Sequence, residues 1–307
     1  MKKFTFIFSL LFCIAGFQML GQNQIRLQQK STTDYESGYS FVSEQGFSQI
    51  NKFITPKIAD NRDASINWQL SDEFAIGSKV KVSSETGRTF MEWSLNDKRI
   101  SMYGNSSVPE WENMIDTEWE WPIDMTTNGQ WSASSHDGVV QVFNSNSSEV
   151  YWETIVNGTV IGTGLSPDGS KIFIARNFAG KSYVSAFTVG QNDPEWETVF
   201  VGDGTVFTSS EDGSKLVFCQ YGGANTMWVI DGTNGDIIFN AIYKNQNAPG
   251  ISNNGNIIVN GDYSGNVHLY EFDEPNNTYV EKWNYKVGGG GTSVWTVGLG
   301  VSGDGST

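Results

Sequence analysis

Cysteine is almost absent: Cys13 and Cys219 are the only two in 307 residues. That excludes a small scaffold stapled by several disulfides. Histidine is as scarce, with only His136 and His268. Neither stands in metal-ligand spacing with another His or Cys, so both are expected to be structural. Prolines number 7 against 34 glycines, a ratio that suits many tight turns between short strands. Helical spacing over ten residues is missing outside the first segment, and no second long apolar run follows it. Basic residues are outnumbered, with 19 Lys and Arg against 34 Asp and Glu, a net charge of −15. Such a chain repels phosphate backbones and anionic lipid heads, so nucleic acid and membrane insertion are not expected.

Aromatics are plentiful at 13%, enough to build a packed core and unlike a disordered chain. The N-terminus reads as a secretory signal over residues 1–21. Lys2 and Lys3 precede an almost wholly apolar run from Phe4 to Leu20, and polar sequence begins at Gly21 and Gln22. Cys13 lies deep inside that run after Phe12, which argues against a lipid anchor. Loss of the segment removes two lysines and no acid, taking the net charge from −15 to −17, and leaves Cys219 as the one mature cysteine. Cys219 sits in an apolar run and is expected to be a buried small residue. Residues 22–72 are polar without a clear period. A linker, an arm, or a strand completing the last blade are all open for them, with Ile66 to Leu70 the candidate closing strand.

From residue 73 onward the chain repeats. Turns ending in glycine recur at Gly129, Gly169, Gly213, Gly255 and Gly305, spaced by 40, 44, 42 and 50 residues. An aromatic closes each unit at Trp111, Trp152, Trp196, Phe239 and Trp283, spaced by 41, 44, 43 and 44. Four strand-like runs per unit at this period describe a β-propeller blade. The unit after Asn157 reads Thr159 to Ser166, a turn at Pro167-Asp168-Gly169, Lys171 to Ala175, Tyr183 to Val189, and Trp196 to Val201. The fold class is therefore an all-β propeller over residues 73–307, with five blades and the start of a sixth at Ser293 to Thr307. Because the chain stops inside a first turn, we expect a fragment of a larger ring, seven blades being the best estimate. The recurrent aromatics are expected to pack between blades. Their acidic neighbours Glu110, Glu112, Glu153, Glu195, Glu197 and Glu281 are expected to face outward.

The run Ser134-Ser135-His136-Asp137-Gly138-Val139-Val140-Gln141-Val142-Phe143-Asn144 resembles the third-strand signature of WD-repeat propellers, as does Gly261 to Glu271. Leu165 to Ser170 resembles their first turn. Trp228 to Phe239 instead resembles the blade end of quinoprotein-like propellers. The Gly-His dipeptide of eukaryotic WD blades is missing. The Asn-, Ser- and Gly-rich acidic style with a Lys-Lys leader resembles exported proteins of Bacteroidota.

No G-x-S-x-G elbow, H-E-x-x-H helix or D-x-[DN]-x-[DN]-G calcium loop occurs. Asp168, Asp212 and Asp304 belong to turns, where Asp is favoured by contacts with its own backbone. The Asn105, Asn146 and Asn157 sequons are chance matches in an Asn- and Ser-rich chain. No catalytic, cofactor-binding or metal-binding residue is assigned, and no cofactor is expected. The expected function is an exported, non-enzymatic binding or scaffold module for a protein or glycan partner, secreted, on the cell surface or in the periplasm. The alternative is an enzyme at the propeller mouth: a glycan hydrolase using paired carboxylates, or a quinone-dependent dehydrogenase. The latter would be expected to carry adjacent cysteines, which this chain lacks.

Overall fold

The computed structural model describes residues 26–29, 39–42, 75–95, 98–115, 122–220, 226–242, 249–262, 265–286 and 299–306. The signal segment, the candidate closing strand Ile66 to Leu70 and the start of the sixth blade before residue 299 lie outside them. The chain forms two compact units, Met1–Ile66 and Asn67–Thr307. In the first, β1 (Arg26–Gln29) pairs antiparallel with β2 (Tyr39–Val42). Among the described residues no helix is long and apolar enough to cross a membrane.

The second unit holds five four-stranded antiparallel sheets, each paired in strict chain order. Blade 1 comprises β3 (Ala75–Val82), β4 (Thr89–Leu95), β5 (Arg99–Tyr103) and β6 (Pro109–Met114). Blade 2 comprises β7 (Ile123–Met125), β8 (Trp131–His136), β9 (Val139–Asn144) and β10 (Val150–Ile155). Blade 3 comprises β11 (Thr159–Leu165), β12 (Lys171–Phe178), β13 (Lys181–Thr188) and β14 (Trp196–Val201). Blade 4 comprises β15 (Gly204–Ser209), β16 (Lys215–Gln220), β17 (Thr226–Asp231) and β18 (Ile237–Ile242). Blade 5 comprises β19 (Gly250–Ile251), β20 (Ile257–Gly261), β21 (Asn266–Asp273) and β22 (Thr278–Lys286), with one 3-10 turn at Glu274–Asn276 before its last strand. The blades expected from the repeat are all present. The strand ends expected for blade 3 fall within a few residues of those observed.

The core lies between blades, and this explains the composition of each strand. The second strands of blades 3 and 4 are covered on both faces and read as continuous apolar runs, Ile172 to Ala175 and Leu216 to Cys219. In β12, Ile172 and Ile174 face blade 2 and join Val140, Val142 and Trp152. Phe173 and Ala175 on the opposite face join Leu216, Phe218 and Ile230 of blade 4. Fourth strands are covered on one face only and alternate half-buried with exposed, as in β6 and most of β14. Glu110, Glu112, Glu153, Glu197 and Glu281 all take exposed positions on these outer strands, and Glu195 is exposed just before β14. Several pair with inner-strand cations, among them Lys171 with Glu195 and Arg176 with Glu197, the latter at 2.7 Å. Cys219 is fully buried between blades 4 and 5, and desolvation pushes its thiol far above the ordinary value.

The outer-strand aromatics lock each blade to the next. The Trp111 ring lies 5.5 Å from Phe143 of blade 2, Trp152 lies 6.2 Å from Phe187 of blade 3, and Phe239 lies 5.2 Å from Tyr270 of blade 5. Trp196 donates its indole N–H to the Gly232 carbonyl of blade 4 at 3.3 Å. Trp283 holds the equivalent place in blade 5 and is 46% exposed.

The glycine turns also share one hydrogen-bond scheme. In blade 3, the Ser166 hydroxyl donates to Asp168 Oδ1 at 2.7 Å, the Ser170 N–H donates to the same oxygen, and the Lys171 N–H donates to Ser166 Oγ. Blade 4 repeats it with Ser210, Asp212, Ser214 and Lys215. Blade 5 uses Ser252, Asn254, Asn256 and Ile257. Ser302, Asp304 and Ser306 form the same turn again after blade 5. There the Gly303 carbonyl accepts the Asn253 N–H of the preceding turn at 2.9 Å. The scheme explains why Ser or Thr, then Asp or Asn, then Gly recur: the short side chains satisfy turn amides that no strand can reach.

Candidate functional site

The first strands of successive blades pack against one another, β3 on β7, β7 on β11, β11 on β15 and β15 on β19. This inner wall is where groups from several blades can meet. Close approach is allowed by missing side chains. A Cβ on Gly162 would stand 2.4 Å from Phe207, and one on Gly164 would stand 2.3 Å from the Ser209 hydroxyl.

Lys81 and Asp124 hold equivalent positions on β3 and β7, each two residues before its blade's first turn. Lys81 Nζ lies 2.9 Å from Asp124 Oδ1. Asp124 Oδ2 accepts the buried main-chain N–H of Leu165 on β11 at 2.8 Å. One carboxylate thus ties together three blades. The Lys81 ammonium is held above its ordinary pKa, first by the Asp124 charge, with Glu211 adding and the loss of water opposing.

Glu211 belongs to the first turn of blade 4 and takes a hydrogen bond from the Thr127 side chain in the first turn of blade 2. Its carboxyl is raised above the ordinary range, chiefly by the loss of water around it, with the charges of Asp124 and Glu85 adding and Lys81 opposing. The Thr127 carbonyl also accepts the Ser83 hydroxyl and the Glu85 N–H of blade 1. First turns from blades 1, 2 and 4 therefore converge at one end of the inner wall, and three carboxylates gather there.

Behind them lies a cavity of about 160 Å³. Lys79 and Lys81 line it from β3, Ile123 from β7, Ile161, Gly162 and Thr163 from β11, and Phe207, Thr208 and Ser209 from β15. The wall combines ammonium groups, hydroxyls and an aromatic ring. The Thr163 side chain is buried, and its hydroxyl oxygen, itself closed off from solvent, has no hydrogen-bond partner among the described residues. Such a surface can hold a small ligand by hydrogen bonds and apolar contact.

The histidines stand elsewhere. His136 ends β8 beside the tight turn formed by Asp137 (φ 45°) and Gly138 (φ 80°). His268 on β21 has its Nδ1 2.9 Å from Glu281 Oε1, and that contact draws the Glu281 carboxyl below its ordinary range. Among the described residues no three His, Cys, Asp or Glu side chains cluster as a metal site. None of Lys81, Asp124, Thr163 or Phe207 stood out in the sequence. The one usable signal was the position of Lys79 and Lys81, two cations in an acidic chain on alternate residues of a first strand.

No protein-family model matches the sequence, and no curated protein matches it either. Solved structures do. A chain in the crystal structure of the mitotic checkpoint complex superposes with a TM-score of 0.59 at 10% identity, over 76% of this chain and 74% of that one. The β-propeller domain of Myceliophteria thermophila Cps50 (Swd1) superposes with a TM-score of 0.52 at 12% identity, over 69% and 73%. At these identities the likeness is one of fold. With the five ordered sheets it makes this unit a β-propeller of about five blades.

Proposed function

We propose that the chain is an exported, non-enzymatic binding module that engages a protein or glycan partner at the end of the propeller where the first turns converge. The observation that carries this reading is the cavity on the inner wall, which is lined from four blades and takes ammonium groups from blade 1 and hydroxyl-bearing side chains from blades 3 and 4. A frame locked by inter-blade aromatics and tied by Asp124 holds those groups rigidly, which lowers the ordering cost of binding. Propeller neighbours include a component of a multiprotein complex, compatible with a scaffold role, although fold alone assigns no partner. Export is supported by the Lys-Lys leader and the apolar run of residues 4–20, and the acidic surface suits solubility outside the cell.

The test is binding of the immobilised full chain to a glycan array and to defined surface proteins, run beside a hydrolase screen and a near-ultraviolet spectrum for a bound quinone. Saturable binding without turnover is the expected result. Turnover at an enzymatic rate, lost on replacing one acidic pair, or a bound quinone, would overturn the reading. N-terminal sequencing of protein recovered from the medium checks export, with a start near Gly21 expected.

A further inference from the structure

Glycine puts no side chain beside its backbone nitrogen, so an Asn-Gly pair is open to attack by that nitrogen on the Asn side-chain amide. Five such pairs occur: Asn128-Gly129, Asn157-Gly158, Asn234-Gly235, Asn254-Gly255 and Asn260-Gly261. The fold treats them differently.

In three of them both reacting groups are held. The N–H of Gly129 donates to the Thr126 carbonyl, that of Gly235 to the Asp231 carbonyl and that of Gly255 to the Ser252 carbonyl, at 2.8, 2.9 and 3.0 Å. The side-chain oxygens of Asn128, Asn234 and Asn254 accept the N–H groups of Gln130, Asp236 and Asn256. Asn260 is fully buried inside β20, away from the water that the reaction consumes. Asn157 and Gly158 are both exposed, on the link between β10 and β11. Among the described residues neither the Asn157 side-chain amide nor the Gly158 N–H has a hydrogen-bond partner.

Two further features favour reaction there. Gly158 has φ 98°, and a Cβ on it would stand 2.1 Å from the Asn177 carbonyl oxygen, so only glycine fits and its nitrogen stays unhindered. Arg176 Nη1 donates to the Asn157 main-chain carbonyl at 3.1 Å. When the Gly158 nitrogen loses its proton, the negative charge spreads onto that same oxygen. The guanidinium stabilises it there, as a preorganised donor stabilises an oxyanion. Arg176 is itself held in place, by Glu197 at 2.7 Å and over the Tyr183 ring at 4.1 Å.

We infer that Asn157-Gly158 is a self-modification site, at which the Gly158 nitrogen attacks the Asn157 side-chain amide with help from Arg176. The Gly158 N–H proton goes to hydroxide. Its nitrogen bonds to Asn157 Cγ, the Cγ–Nδ2 bond breaks, and ammonia leaves after taking a proton from water. The five-membered imide then takes up one water, which opens it to aspartate or isoaspartate at position 157. Nothing is oxidised or reduced. Either product adds one negative charge. Isoaspartate also lengthens the main chain between blades 2 and 3 by one carbon, and turns the carbonyl that Arg176 holds into a free carboxylate.

The test incubates the purified full chain in mildly alkaline buffer. Peptide mapping follows each Asn-Gly pair, by the mass gain from amide to acid and by methyltransferase labelling of isoaspartate. In the folded chain Asn157 is expected to react at least about tenfold faster than the other four, since those must first break their hydrogen bonds or leave the core. In guanidinium chloride all five should react at similar rates. Arg176→Met should slow the reaction at Asn157 about three- to tenfold. Glu197→Gln removes the countercharge on the guanidinium and should speed it.

Equal rates at the five pairs in the folded chain would overturn the inference, as would an Asn157 that persists while another pair reacts. Unchanged rates in both Arg176→Met and Glu197→Gln would overturn the assistance by Arg176 and with it the mechanism.

Discussion

The indole N–H of Trp111 donates to the Ser145 carbonyl of the neighbouring blade at 2.8 Å. Ser145 is the first residue after the third strand of blade 2, and Gly232, which receives Trp196, is the first after the third strand of blade 4. The same residue type at the same register makes the same bond to the next blade. Trp111→Phe keeps most of the ring contact with Phe143 and removes the bond, so a loss of about 1 kcal/mol is expected in urea unfolding. Trp111→Ala should cost about 3–5 kcal/mol. Equal losses for the two variants would mean that the hydrogen bond, and not the ring, dominates the contact.

Asp124 has two tasks that substitution can separate. Its ion pair with Lys81 is modest because the Lys81 side chain is 48% exposed, about 1 kcal/mol or less. Its acceptance of the buried Leu165 N–H is worth more, since an orphaned buried amide costs about 1–3 kcal/mol. Asp124→Ala should therefore destabilise by about 2–3 kcal/mol, and Asp124→Asn, which keeps an acceptor oxygen, by clearly less. Chemical denaturation of both variants decides this, and equal losses would show that the amide is not the main recipient.

Acid should loosen the first turns. Hydrogen bonds from the Ser166 hydroxyl, the Ser170 N–H and the Ser170 hydroxyl lower the Asp168 pKa to about 2, below the unfolded value of roughly 3.9. A depressed carboxylate contributes stability that is present above the unfolded pKa and is lost as pH falls through the folded one. The window is therefore from about pH 4 down to about pH 2. Over it Asp168→Asn should lose less stability than the natural protein, measured by Tm at each pH. The difference should be small, because Asp168 is exposed.

Gly162 is required by the approach of β11 to β15. Gly162→Ala places a methyl group 2.4 Å from the Phe207 Cβ and should cost about 1–3 kcal/mol through overpacking. Adding Phe207→Ala should not relieve the whole clash, because the Phe207 Cβ remains. It should recover the part due to the ring, whose Cδ1 lies at 2.8 Å. Thermal unfolding of the single and double variants measures that coupling.

Much of the architecture was legible because it is written in short-range chemistry. A Ser-x-Asp-Gly turn closes its own hydrogen bonds within five residues, and an alternating strand reports which face is covered. Both signals repeat every forty-odd residues, so the blades and the packing role of Trp111, Trp152 and Trp196 could be read before any coordinates.

The candidate site was not legible, for the opposite reason. Asp124 reaches Leu165 across 41 residues, and Lys81, Thr163 and Phe207 lie in three different blades. Taken singly, each is an ordinary strand residue. What makes them one site is the stacking of first strands, set by how large side chains fill the gaps between sheets and where glycine lets two strands close in. The sequence by itself determined the repeat, its turns and its aromatic seams, because those depend on neighbours along the chain. Only the tertiary structure decided which hydroxyl is left without a partner and which carboxylate ties three blades together, because those depend on contacts between blades.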